Sequence, residues 1–71
     1  RVCIFHENKV GMLGKITDLV TSKNLNIETL VNKGNEKIAY TILDFNGEVP
    51  AEELIEALTA MDGVIRVRVI D

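Results

Sequence analysis

Three features of the chain predict an α+β, ferredoxin-like fold. Its apolar patterns run β-α-β-β-α-β, each half is a strand-helix-strand unit, and no linker, low-complexity tract or sequence repeat divides the halves. Right-handed crossovers then place the third strand between the first and second, with the fourth outside the first. The expected product is one four-stranded antiparallel sheet in the order 4-1-3-2, with two helices on one face and strands two and four at the edges.

The elements follow in order. Val2 to Phe5 is apolar and partly β-branched and predicts strand one. Leu13, Ile16 and Val20, with Leu19 beside them, share a stripe at helical spacing and predict helix one from Met12 to Lys23. Strand two is expected from Asn26 to Asn32, closed by the turn Lys33-Gly34-Asn35-Glu36, and strand three from Ile38 to Phe45. After Asn46-Gly47, Pro50 suits the first turn of helix two. Glu52 and Glu53 complement that helix's dipole, and Leu54, Ile55, Leu58 and Met61 form its inner stripe. Gly63 is expected to end the helix in the left-handed conformation. Val64 to Ile70 reads as strand four, with Ile65, Val67 and Val69 on one face and Arg66 and Arg68 on the other.

At 71 residues this is one small domain, and a domain of that size buries only about 60% of its unfolded surface. The chain opens on Arg1 inside a strand and closes on Asp71 directly after one, without a start Met, signal peptide or spanning segment. It reads as residues 1–71 of a longer, cytoplasmic protein. The net charge of −3 and the scattered lysines and arginines argue against a nucleic-acid surface. The one cysteine, Cys3, lies in an apolar strand without partners for metal or redox work, so no metal site and no cofactor are expected in this domain.

The run Phe5-His6-Glu7-Asn8-Lys9-Val10-Gly11 places an imidazole and an amide two residues apart, in what reads as a strand-to-helix loop. Gly11 carries no Cβ to obstruct a ligand, and the backbone around Val10, Gly11, Met12 and Leu13 opens a helix whose free N–H groups favour a carboxylate or phosphate. Each residue also has a plainer explanation. His6 alternates with Val2 and Ile4 and suits a hydrogen-bonded structural role, Asn8 an Asx-turn or helix cap, and Asn26 a turn after the helix. Gly11 and Gly14 could serve turn geometry and packing alone, and Arg66 and Arg68 suit solvated edge charges or contacts to another domain.

The run from Ile4 to Leu13, the segment Asn24-Leu25-Asn26-Ile27 and the closing Met61 to Arg68 together resemble the ACT domain, a regulatory module of amino-acid metabolism. More narrowly, the chain resembles the ACT domains of the D-3-phosphoglycerate dehydrogenase family. The specific signal is His-Glu-Asn, a glycine three residues after that Asn, and a second Asn eighteen residues after the first. The resemblance implies feedback control by L-serine bound between paired domains, with His6, Asn8 and Asn26 as ligand contacts. It also implies an NAD-dependent oxidoreductase as the parent enzyme, whose catalytic domain lies outside this chain and holds the NAD. One departure is Val10, where these domains commonly carry proline; Val10 keeps an N–H that Pro would lack.

Topology tests this implication independently. Strands one and two run parallel in the expected order, which puts His6 and Asn26 at opposite ends of one subunit. A homodimer pairing strand two antiparallel through Asn26, Ile27, Glu28, Thr29, Leu30 and Val31 would invert the partner and carry its Asn26 towards His6 and Asn8. The expected site is composite, two per dimer. Two other readings compete: a dimerisation module that binds another amino acid or nothing, and an enzyme of the same fold, for which the sequence supplies no basic phosphate cradle. RNA recognition through central-strand aromatics has only Phe5, Tyr40 and Phe45 to use, on an acidic domain.

Overall fold

The computed structural model describes residues 1–70; Asp71 lies outside the described residues. Its elements are β1 (Val2–Glu7), α1 (Met12–Ser22), β2 (Ile27–Gly34), β3 (Ile38–Phe45), α2 (Ala51–Thr59) and β4 (Val64–Val69). The sheet order is β2-β3-β1-β4, with all three pairings antiparallel. This is the predicted order read from the other edge. The core is a single layer in which Val2 and Ile4 of β1 and Leu43 of β3 meet Met12, Ile16 and Val20 of α1 and Leu54 and Leu58 of α2. Ile16, Val20, Leu54 and Leu58 belong to the stripes the periodicity predicted, because three- and four-residue spacing keeps them on one side of each helix, whereas Met12 takes the core place expected for Leu13, which is only half-buried.

Several boundaries and one register differ from the sequence reading. β1 continues through His6 and Glu7, so His6 belongs to the strand and its side chain points into the core layer, 2% exposed. β2 extends to Gly34 and takes in Lys33, leaving only Asn35, Glu36 and Lys37 between the strands. The turn is tightened by Asn35, whose Oδ1 accepts the amides of Lys37 and Ile38, both at 2.9 Å. Gly34 is required there: an added Cβ would meet Ala39 Cα, Ala39 Cβ and the Ile38 carbonyl at 2.6 Å.

α2 stops at Thr59, and Gly63, at φ +95°, instead turns the chain into β4. At the start of β4 a bulge shifts the register, so that Phe5 pairs with Arg66 but His6 with Val64. Val64 therefore takes the core-side place expected for Ile65, and Ile65 is 55% exposed.

The face opposite the helices is uncovered. It carries Cys3 and Phe5 of β1, Ile38, Tyr40 and Ile42 of β3 and Val31 of β2, with Arg66 and Arg68 alongside on β4. No helix among the described residues is long and apolar enough to cross a membrane.

Candidate functional site

The β1–α1 loop, the β2–β3 turn and the start of β4 meet at one end of the sheet. The Asn8 amide donates to Lys37 O at 2.9 Å, and that of Glu7 to Gly63 O at 2.8 Å. The Asn8 side chain also ties loop to turn, through Nδ2 donating to the Asn35 carbonyl. Asn8 thus caps no helix. Gly11 holds the N-cap position of α1 at φ +87°, where a β-carbon would be strained, and no side chain caps that helix.

This leaves backbone donors at the surface. Lys9 N turns back to Glu7 O, Met12 N to Lys9 O and Lys15 N to Gly11 O. Among the described residues the amides of Val10, Gly11, Leu13 and Gly14 find no backbone acceptor, and Gly14 has nothing within 4 Å of where a Cβ would stand. These N–H groups sit at the positive end of the α1 dipole, where an anion is favoured. Beside them Lys9 Nζ lies 2.8 Å from Glu7 Oε2, and this hydrogen bond holds the Lys9 ammonium above its ordinary pKa.

His6 is fully engaged within the chain. Its Nδ1 lies 2.9 Å from the Glu7 carbonyl and its Nε2 2.8 Å from Thr41 Oγ1, which also accepts Asn32 Nδ2 at 2.8 Å. His6, Thr41 and Asn32 form one polar row crossing β1, β3 and β2 on the helix-facing side. Thr41 and Asn32 were not singled out from sequence. The available signal was a hydroxyl and an amide at positions of strands three and two that register beside His6, but that register becomes known only once the strands are paired.

The structure therefore brings His6, Asn8, Val10, Gly11, Met12 and Leu13 to one end and leaves Asn26 at the other. Asn26 precedes Ile27, which pairs with Phe45, whereas His6 pairs with Ala39. Six residue steps along β3 separate the two levels, about 20 Å. At its own end the Asn26 carbonyl accepts the Asn46 amide at 3.2 Å. A hollow of about 350 Å³ also lies at that distal end, lined by residues that include Arg1, Phe45, Glu48 and Ile70. A shallower depression of about 500 Å³ adjoins Asn35, Glu36, Lys37 and Ile38 next to Asn8. Neither is lined by His6 or Gly11.

The βαββαβ order and the β2-β3-β1-β4 antiparallel sheet define a ferredoxin-like α+β domain. The family model for the AHAS small subunit-like ACT domain matches residues 3–66, and the chain belongs to the ACT-domain family. It is 34% identical over 70 residues to a D-3-phosphoglycerate dehydrogenase of Haemophilus influenzae, covering 99% of this chain and 17% of that protein's length. Among solved structures it is similar to the ACT domain from GTP pyrophosphokinase of Chlorobium tepidum, determined both by NMR and by crystallography. The NMR structure superposes with a TM-score of 0.77 at 26% identity, covering 94% of this chain and 78% of that one. The crystal structure superposes at 0.74 with the same identity, covering 94% and 90%.

Proposed function

We propose that this domain is an amino-acid sensor, with L-serine as its ligand, that works as a homodimer joined through β2 and regulates a D-3-phosphoglycerate dehydrogenase in serine synthesis. The observation that carries the reading is the set of unpaired amides at Val10, Gly11, Leu13 and Gly14, beside Asn8. The ligand carboxylate takes the amides, and its ammonium and hydroxyl take amide oxygens from Asn8 and from Asn26 of the partner subunit. His6 lines the base of this site, and Met12 and Leu13 bound it. Because ligand and partner complete each other, serine favours the dimer arrangement it bridges, and that differential affinity is the regulatory signal. NAD and hydride transfer belong to a catalytic domain outside this chain, in a cytoplasmic enzyme.

Calorimetry and sedimentation with and without serine test the reading. Serine is expected to release heat and tighten the dimer, and Asn26→Ala to abolish both responses while leaving the fold intact. Absence of heat and of any thermal shift at millimolar serine overturns it. The engagement of both His6 ring nitrogens favours a second reading, a dimerisation module binding another amino acid or none, in which Asn26→Ala leaves the ligand response untouched.

A further inference from the structure

We propose that Thr41 and Asn32 are positioning residues of this site: through one directional hydrogen-bond relay they set the protonation state of His6 and carry it to the exposed edge strand β2. The inference rests on the ligand reading above for its regulatory meaning, but the relay itself stands on the geometry of the chain.

The direction is forced by chemistry. The Glu7 carbonyl can only accept, so His6 Nδ1, 2.9 Å away, carries a proton. In the neutral ring Nε2 is then an acceptor, and its partner at 2.8 Å, the Thr41 hydroxyl, must donate to it. With its one proton committed, Thr41 Oγ1 accepts at 2.8 Å from Asn32 Nδ2, which leaves Asn32 Oδ1 for the outside. His6 and Thr41 are 2% and 0% exposed, so water does not substitute for a missing member, and no buried side-chain nitrogen or oxygen among the described residues is left unpaired.

A proton taken up from solvent at Nε2 reverses the row. The imidazolium donates to Thr41 Oγ1, the Thr41 hydroxyl turns towards Asn32, and the Asn32 amide rotates by a half-turn to present Oδ1 inward and NH₂ outward. Asn32 is exposed on β2, the strand whose outer edge is unpaired. A ligand carboxylate that favours the imidazolium thus exchanges an acceptor for a donor at the dimer edge. By strand alternation and register, no titratable side chain of β1, β3 or β4 other than His6 itself shares the sheet face that the ring occupies. β3 contributes Ala39, Thr41 and Leu43, β4 Val64, and the helices Met12, Ile16, Leu54 and Leu58, while Glu7 lies on the opposite sheet face, paired with Lys9.

His6 is the only histidine, so nitrogen-15 correlation spectra of the ligand-free chain report its ring alone. The neutral wild type is expected to show a protonated Nδ1 and a bare Nε2. Asn32→Asp replaces the amide with a group that only accepts, which pulls the Thr41 hydroxyl outward and favours the imidazolium. Its titration midpoint is expected to rise by about one pH unit, a tenfold gain in proton affinity. Leu30→Asp, an exposed carboxylate on the same side of the same strand, is expected to move it by a few tenths at most, and Thr41→Val/Asn32→Asp to cancel the rise. A bare Nδ1 in the wild type, an Asn32→Asp shift no larger than that of Leu30→Asp, or a shift that survives Thr41→Val overturns the relay. A relay that passes while serine gives no heat refutes the ligand reading alone, and serine heat with a failed relay refutes this inference alone.

Discussion

The sheet has two edges, β2 and β4, and they are built oppositely. β4 places Val64, Val67 and Val69 against the core layer beneath α2, turns Arg66 and Arg68 outward, and begins with a bulge. Its far end is fastened by backbone hydrogen bonds in both directions between Arg1 and Ile70, at 2.9 and 2.8 Å. β2 is exposed from Glu28 to Gly34, with apolar residues on both sides: Leu30, opposite core-facing Leu43, is 39% exposed, and Val31, opposite Ile42 on the open face, is 36% exposed. A register shift near Glu28 and a lysine at position 33 interrupt its ends, but Thr29 to Asn32 form an unblocked middle. Bulges and outward charges are what edge strands use to refuse a neighbour. The contrast teaches that one edge is guarded within the chain and the other is left open to pairing.

The largest expected effect breaks the guarded side. Leu58→Ala hollows the cover that α2 lays over β4 and should cost about 2–5 kcal/mol, enough to unfold much of so small a domain at room temperature, as urea denaturation would show. Gly34→Ala strikes the open side at its one tight point and should cost about 1–3 kcal/mol, because the new Cβ collides with backbone and not with a movable side chain.

Two further changes sharpen the contrast. Leu30→Lys is expected to leave the monomer within about 1 kcal/mol of wild type, yet to weaken the dimer at least tenfold by sedimentation. Ile65→Lys on β4, a change of the same kind at a 55%-exposed residue, should leave self-association unchanged. Equal losses in both would end the distinction between the edges.

The smallest effect concerns pH. The hydrogen bond and ion pair from Arg1, at 3.0 Å, hold the Asp44 carboxyl below its ordinary pKa. A depressed folded-state pKa contributes stability above the unfolded value, near 4, that is lost as pH falls through the folded value. Asp44→Asn should therefore lower thermal stability slightly at pH 7, where the carboxylate is paired with Arg1, and make no difference at the acid end, which flattens the limb of the profile below about pH 4.

Much of the fold was legible because it depends on local periodicity. Ile16 and Val20 repeat at helical spacing, and Leu54 and Leu58 do the same, so the helices and most of their buried sides followed, with Met12 in the core place read for Leu13. Handedness rules then fixed the strand order, and the separation of His6 from Asn26 came with it. Errors arose where pairing overrode local pattern. Glu7 and Asn8 read as a loop, yet β1 runs on through Glu7 because Glu7 has Ile38 to pair with. Ile65 reads as a core residue by alternation, but a bulge moved Val64 into that place.

By itself the sequence determined the elements, their order and the loop of amides at the start of α1, because each depends on residues close together in the chain. Only the tertiary structure decided that His6 has no free ring nitrogen, because Thr41, 35 positions along the chain, takes Nε2 while the neighbouring Glu7 carbonyl takes Nδ1. It likewise decided that Val64 and not Ile65 takes the core-side place, since the bulge depends on how β1 and β4 meet, and no single strand's sequence records that.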